Sequence, residues 1–247
     1  MSDRIICTIT DFNYQKYTHK FINTVRASGW RERIVVFNTD KRDLYFNCEV
    51  RKIKPRFTTK WFDDGRWIKM ELPNHFEIGE KICFLDGDMI AFPWVDWEEI
   101  FKGDLSYAEL KPDDDMDDET GRIRKVYGNI NLDSRYLASP AMMTVTKEIQ
   151  DFYKGIGRLA SFASNTMIGG TLLALNLAIN ASPAIKKKAR LLPREKIVYT
   201  VDVRGDQKNY KPFYHPWFFH YGGRAGKEYW YREHELDQDL GYLKNEI

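Results

Sequence analysis

The stretch Lys81-Ile-Cys-Phe-Leu-Asp-Gly-Asp-Met-Ile-Ala-Phe92 decides how this chain is read. Its opening five residues have the apolar character of a short buried strand, and Met89 to Phe92 continue apolar. Asp86 and Asp88 therefore interrupt a hydrophobic segment, where a charge costs several kcal/mol unless it is paired or bound to metal. Residues two apart in extended chain point to the same side, so both carboxylates can aim at one point. Two such oxygens suit a hard divalent cation, Mg²⁺ or Mn²⁺, completed by substrate phosphates; an added imidazole favours Mn²⁺. His220 is the candidate third ligand. Asp-Gly-Asp is also ordinary turn composition, and that bland reading stays open for the tripeptide taken alone.

Outward from this stretch, strands and helices alternate. Arg4 to Thr10 reads as an apolar strand, and Tyr14 to Ser28 carries Tyr14, Tyr17, Phe21, Ile22 and Val25 at helical spacing. Asp11 or Asn13 can cap that helix, and Gly29 stands where a left-handed residue ends one. A second strand is expected at Arg33 to Phe37, a helix at Arg66 to Leu72 limited by Pro73, and a third strand at Lys81 to Leu85. Further strands are expected at Leu105 to Leu110, Ala141 to Thr146 and Lys196 to Val201, with helices at Lys147 to Tyr153 and Asn165 to Ala181. This alternation implies an α/β fold with a mainly parallel central sheet. Ligands of such sheets bind beyond the carboxyl ends of the strands, where Asp86 and Asp88 fall. No repeat or low-complexity linker divides residues 1–247, so one domain is expected.

Composition narrows the function classes. With 38 basic and 36 acidic residues, the net charge of +2 does not call for nucleic acid or an anionic membrane as partner. Charge is uneven locally: Lys186 to Lys196 is basic and Asp113 to Glu119 acidic, and both read as solvated loops. Cys7, Cys48 and Cys83 lack metal-site spacing and read as reduced thiols. No apolar run has the length of a membrane span, and a reducing, cytoplasmic location is expected. Aromatic residues make up 15% of the chain and cluster at Trp61 to Trp67 and Tyr210 to Trp230.

The segment Ile82 to Phe92 resembles the Asp-x-Asp segment of GT-A glycosyltransferases, especially the glycogenin and galactosyltransferase group of family 8. The C-terminal part, His220-Tyr-Gly-Gly-Arg-Ala-Gly-Lys227-Glu-Tyr-Trp230, is similar to that group's His, Gly and Lys order. The resemblance implies a GT-A, Rossmann-like nucleotide-diphospho-sugar transferase domain. It implies that Asp86, Asp88 and His220 hold Mn²⁺, or Mg²⁺, against the diphosphate of a UDP-sugar. Gly222, Gly223 and Lys227 would meet the phosphates, with Asp88 and Lys227 acting in catalysis. Thr8, Thr10 and Tyr14 would take the uracil and ribose; for Tyr14 a place in the core is the equal alternative. Arg66 and Lys69 would lie near the diphosphate, with a solvated helix face as their alternative.

The implied reaction is retaining transfer to a hydroxyl, in which the leaving phosphate takes the acceptor proton. Glu109 and Asp113 are weak candidates for a base. A glycan or lipopolysaccharide is the expected acceptor, and a modified base in DNA is the second. The chain departs from the family at Lys227-Glu-Tyr-Trp230, Ala138-Ser-Pro-Ala141 and Asn165 to Thr171, positions on the sugar and acceptor sides. Two other readings remain. One is a haloacid dehalogenase-like phosphatase with Asp86 as nucleophile. The other is a non-catalytic module for nucleotide sugar or nucleic acid, using Trp61, Trp67 and the basic stretch.

Overall fold

The central sheet is built on β1 (Arg4–Thr10), β2 (Arg33–Asn38), β3 (Glu49–Lys52) and β4 (Lys81–Phe84), joined by β6 (Leu105–Glu109), β7 (Tyr136–Thr144) and β8 (Ala189–Leu192). The structure is a computed structural model that describes residues 3–53, 64–109, 136–166, 170–192, 196–199 and 216–220. Strand order is β3-β2-β1-β4-β7-β6-β8. Every neighbouring pair is parallel except those of β7, which runs antiparallel to both β4 and β6. The α/β sheet is thus mainly parallel, with one reversed strand near its centre. A second sheet, of order β5-β10-β9, joins β5 (Met89–Ala91), β9 (Ile197–Tyr199) and β10 (Phe218–His220).

Apolar residues on both faces of the strands give two cores. Ile5, Cys7, Val35, Phe37, Ile82 and Phe84 face one side. There they meet α2 (Asp64–Glu71), α4 (Lys147–Thr166), α5 (Gly170–Ala181) and α6 (Pro183–Lys188) through Ile68, Ile149, Tyr153, Leu175 and Ile185. Ile6, Ile34, Val36, Cys83 and Leu85 face the other, against α1 (Gln15–Ala27) and α3 (Trp97–Ile100) through Phe21, Ile22, Val25, Trp97 and Ile100. This doubly covered arrangement is why the parallel strands read as continuous apolar runs rather than alternating ones.

Several boundaries differ from the expected ones. The α1 N-cap position is Tyr14; Asp11 contributes by accepting the Tyr14 backbone N–H at 2.9 Å, while Gly29 adopts φ of 93° as the helix end requires. The helix before Pro73 ends at Glu71, and Pro73 falls in the first turn of a following 3-10 helix, Leu72–His75. Helix α4 runs on to Thr166, so the expected helix start at Asn165 gives way to Gly170. The first part of the basic stretch is not a loop: Lys186, Lys187 and Lys188 form the last turn of α6, where cations complement the helix dipole, and Arg190 lies in β8, while Arg194 lies outside the described residues. Strand β3, helix α3 and the β5–β10 pairing were not expected. Among the described residues no helix is long and apolar enough to cross a membrane. The three cysteines are free thiols.

The reversed strand is held by a buried side chain. Asn176 on α5, fully buried, accepts the Tyr136 backbone N–H at 2.7 Å and donates to the Tyr136 carbonyl at 2.9 Å. Asn176→Ala leaves two buried backbone groups without that partner, and about 2–4 kcal/mol of stability is expected to be lost in urea unfolding.

Candidate functional site

Strand β4 delivers the chain to the carboxyl edge of the sheet. There the Leu85 N–H still bonds to the Cys7 carbonyl at 3.0 Å, and Asp86-Gly87-Asp88 turns away into β5. β5 pairs antiparallel with β10 in the register Met89 to His220, Ile90 to Phe219 and Ala91 to Phe218. That pairing brings together two residues 132 apart: His220 Nε2 lies 3.0 Å from Asp88 Oδ1 and 3.9 Å from Asp86 Oδ2. Lys69 on α2 approaches from the opposite side, its Nζ 2.8 Å from Asp86 Oδ1 and 4.7 Å from the Phe84 ring centre. Ser139 on β7 completes the group, accepting the Asp86 backbone N–H on its hydroxyl at 2.9 Å.

These are sheltered charges. The side chains of Asp88, His220, Lys69 and Asp86 expose 10%, 14%, 18% and 26% of their area, so their interactions are weakly screened. Burial alone pushes the Asp86 carboxyl up. The charges of Lys69 and His220, with hydrogen bonds from Lys69 and Ser139, outweigh that and hold it below the usual carboxylate range. Asp86 is therefore kept ionised by its neighbours.

Gly87 has a steric reason to be glycine. A Cβ there would stand 3.0 Å from the Ile9 carbonyl oxygen, 3.0 Å from Thr18 Oγ1 and 3.2 Å from Thr8 Oγ1. The turn thus rests directly on the end of β1 and the first turns of α1. Thr8 and Thr10 are 0% and 2% exposed, and the Thr18 hydroxyl donates to Thr10 Oγ1 at 2.8 Å. Their side chains form the floor beneath the turn, so a uracil or ribose contact at Thr8 or Thr10 would fall to the backbone of that strand end. Tyr14 is half-buried at the same edge, its ring centre 5.8 Å from that of Tyr17.

The remaining expected residues are distributed as follows. Arg66 lies on α2, with its side chain outside the described residues, as are Gly222, Gly223, Lys227, Asp113 and Trp61. Glu109 ends β6 on the same edge as Asp86, two strands across and so about 10 Å away. Sequence reasoning missed Ser139 and Thr18. Ser139 sits in a segment already marked by its departure from the family pattern, and Thr18 carried no signal beyond a buried helix position.

Whether the group suits a divalent ion can be judged from its spacing. Neighbouring ligands of an octahedral ion with bonds of about 2.1 Å stand roughly 3.0 Å apart. Asp88 Oδ1 and His220 Nε2 have that separation; Asp86 Oδ2 is further out at 3.9 Å, with its companion oxygen on Lys69. Among the described residues no three such side chains are already closed into a metal-binding set. The donor types fit a divalent ion, and Asp86 is the side chain that would have to move to join such a set.

Neither a family model nor a curated protein matches this chain. Solved structures do. The galactosyltransferase LgtC, in complex with donor and acceptor sugar analogs, superposes over 90% of this chain and 88% of its own, with a TM-score of 0.63 and 14% identity. The WbbM bifunctional glycosyltransferase, in its apo structure, covers 90% of this chain at TM-score 0.61 and 15% identity, and GlyE of Streptococcus pneumoniae 79% at 0.50 and 14%. The chain has the GT-A glycosyltransferase fold. It spans only 46% of the WbbM and GlyE chains. In the GT-A fold as this chain builds it, Asp86 and Asp88 occupy the turn between the main sheet and the small one.

Gly87→Ala tests the seating of that turn. Its Cβ meets a backbone oxygen that cannot swing aside, and a loss of about 1–3 kcal/mol is expected in thermal or urea unfolding. An unchanged midpoint would show that the turn can lift from β1 freely.

Proposed function

We propose that this chain is a metal-dependent glycosyltransferase that moves a sugar from a UDP-sugar to a hydroxyl of a glycan or lipopolysaccharide, with retention of configuration. The observation that carries the reading is the convergence of Asp86, Asp88 and His220 at the carboxyl edge of a GT-A sheet. Two carboxylates and an imidazole suit Mn²⁺, with Mg²⁺ as the substitute. When bound, the ion supplies positive charge to the diphosphate as it leaves.

The chain's own residues have separate tasks in this reading. Asp88 and His220 hold each other in place across the β5–β10 pairing. Lys69 balances the Asp86 charge, and would stand beside the diphosphate were Asp86 to help hold an ion. Tyr14 and the turn after β1 take the nucleoside, and Gly222, Gly223 and Lys227 meet the phosphates in the role the resemblance gives them. Lys227 would add charge where it develops in the transition state. The leaving phosphate takes the acceptor proton, so neither Glu109 nor Asp113 is needed as a base.

A saccharide acceptor is favoured over DNA. LgtC is bound to donor and acceptor sugar analogs in its structure. The basic stretch, which could have met a nucleic-acid backbone, is partly engaged internally: Lys186 bonds Asn180 Oδ1 and Lys188 pairs with Glu148. The phosphatase reading needs Asp86 as a nucleophile, yet Lys69 engages its Oδ1 at 2.8 Å. A binding module gives no reason for a second buried carboxylate held by a histidine.

Calorimetric titration of UDP with Mn²⁺, and again with EDTA, tests the proposal. Tight binding that chelation removes is expected, and Asp88→Ala or His220→Ala should abolish it while leaving the unfolding midpoint within a few degrees. Wild-type affinity in either variant would remove the metal assignment. Lys227→Ala is expected to lower kcat by roughly 10²-fold with little rise in donor KM. An effect confined to KM would make Lys227 a ground-state contact.

A further inference from the structure

The turn that leaves β1, Asp11 to Tyr14, is shaped by its own hydrogen bonds: the Tyr14 N–H donates to the Asp11 carboxylate at 2.9 Å and to the Asp11 carbonyl at 3.2 Å. Those bonds form the entry to α1 but do not fix the turn against the sheet. The chain just after β2, Thr39 to Arg42, supplies that contact. It lies alongside because β1 and β2 are parallel neighbours, with Thr10 set against Asn38.

Thr39 grips the last residue of β1, its backbone N–H and its hydroxyl both donating to the Thr10 carbonyl, at 3.0 and 3.1 Å. Asp40 grips the turn itself, its carboxylate accepting the Phe12 backbone N–H at 3.3 Å. Arg42 closes over both. Its guanidinium carbon stands 3.5 Å from the Phe12 ring centre, and its Nε and Nη2 donate to the Asp40 carboxylate at 2.9 and 3.0 Å. Hydrogen bonds from Arg42 hold the Asp40 carboxyl below the usual carboxylate range, so it remains an ionised acceptor near neutral pH.

Asn38 gives this segment its stiffness. Its side chain is buried, and both ends of the amide are used: Oδ1 accepts the Asp40 N–H at 2.8 Å and Nδ2 donates to the Arg42 carbonyl at 2.8 Å. A loop tied at both ends to one buried side chain has few conformations of its own. Phe12, by contrast, is 47% exposed, so burial does little to hold the turn and the contacts from Thr39, Asp40 and Arg42 set its place. Exposed ion pairs add little to global stability. Their effect here is local: they remove conformations from the turn that carries Tyr14, and a site already in order loses less entropy when a ligand settles on it.

We propose that Thr39 and Asp40 are positioning residues for the nucleoside of the donor, setting the place of the Thr10 to Tyr14 backbone and thereby the affinity for UDP. This role rests on the reading in which Tyr14 and the turn after β1 take the nucleoside. The turn at Asp86 to Asp88 is seated on Ile9, Thr8 and Thr18 instead, so the diphosphate end of the site has a separate support.

Two calorimetric titrations on each protein distinguish this role from a general loss of structure. One uses UDP with Mn²⁺; the other uses pyrophosphate with Mn²⁺, which offers a diphosphate without a nucleoside. Thr39→Val and Asp40→Ala are each expected to weaken UDP binding roughly tenfold while pyrophosphate binding and the unfolding midpoint stay at wild-type values. Thr39→Ser, which keeps the hydroxyl, is expected to bind UDP as wild type does. Unchanged UDP affinity in both Thr39→Val and Asp40→Ala would overturn the proposal, and so would an equal loss of pyrophosphate binding, which would mark a disturbance of the whole site. Absence of UDP binding in wild type would sink the transferase reading and this role with it; wild-type binding with indifferent variants would sink this role alone.

Discussion

Three backbone pairs between β5 and β10 hold the candidate site together. Without the register that sets Met89 against His220, Asp88 would be a carboxylate 8% exposed with no imidazole beside it, and His220 would belong to a distant part of the chain. The pairing is short, but it is anchored by apolar burial. Met89 and Phe218 are fully buried, and Phe218 meets Trp97 edge-on with ring centres 5.7 Å apart. The Phe92 N–H continues the ladder to the Trp217 carbonyl at 3.0 Å. Hydrophobic contact thus supports the ordering of a polar cluster that could not easily assemble itself, since each charge loses hydration on entering.

The other side of the turn is set by crowding. Gly87 lies so close to Ile9, Thr8 and Thr18 that the Asp86 and Asp88 side chains must leave it in fixed directions. Asp86 is directed to the side where Lys69 waits, and Asp88 to the side where His220 arrives. The two carboxylates consequently have different partners although they are two residues apart. Asp88 is held by His220 at 3.0 Å, whereas Asp86 is held by Lys69 at 2.8 Å. A lysine beside a sheltered carboxylate lowers the electrostatic cost of burying it.

Much of this was legible from residues alone, and the limits have physical causes. The strands Arg4–Thr10, Arg33–Asn38 and Lys81–Phe84 announced themselves because burial on both faces demands unbroken apolar runs. β3, Glu-Val-Arg-Lys, did not: among the described residues it is an edge strand, and its residues are half-buried or exposed. The reversal of β7 has no signature, because periodicity encodes which face a residue takes and not which way a strand runs. The lysines of α6 read as a solvated loop because charge dominated the composition, while the helix is secured by one buried residue, Ile185. At the site, Asp86 and Asp88 were legible because charge inside an apolar run is costly and conspicuous, and His220 through the resemblance of its segment to the family's His, Gly and Lys order. The burial of Thr8 and Thr10 was not legible, because a threonine reads the same whether its hydroxyl faces a ligand or a neighbouring threonine.

The two ends of the sheet differ in electrostatic character. At the carboxyl edge, two carboxylates are gathered with one lysine and one histidine, and Lys69 and His220 hold Asp86 ionised. At the amino edge, Arg4 is neutralised on both sides by Glu32 and Glu98 and flanked by the Trp30 and Phe101 rings. Reaction at a nucleotide sugar needs the first character, because charge develops on the leaving group. β5 and the chain that follows it connect the two, with Asp88 just before the strand and Trp94 just beyond it. Both depend on the chain around β10 as well: His220 closes the carboxylate cluster at one end of that strand, and the Pro216 carbonyl fixes Trp94 just before the other. Ordering β10 therefore orders the charged and the aromatic features in a single step.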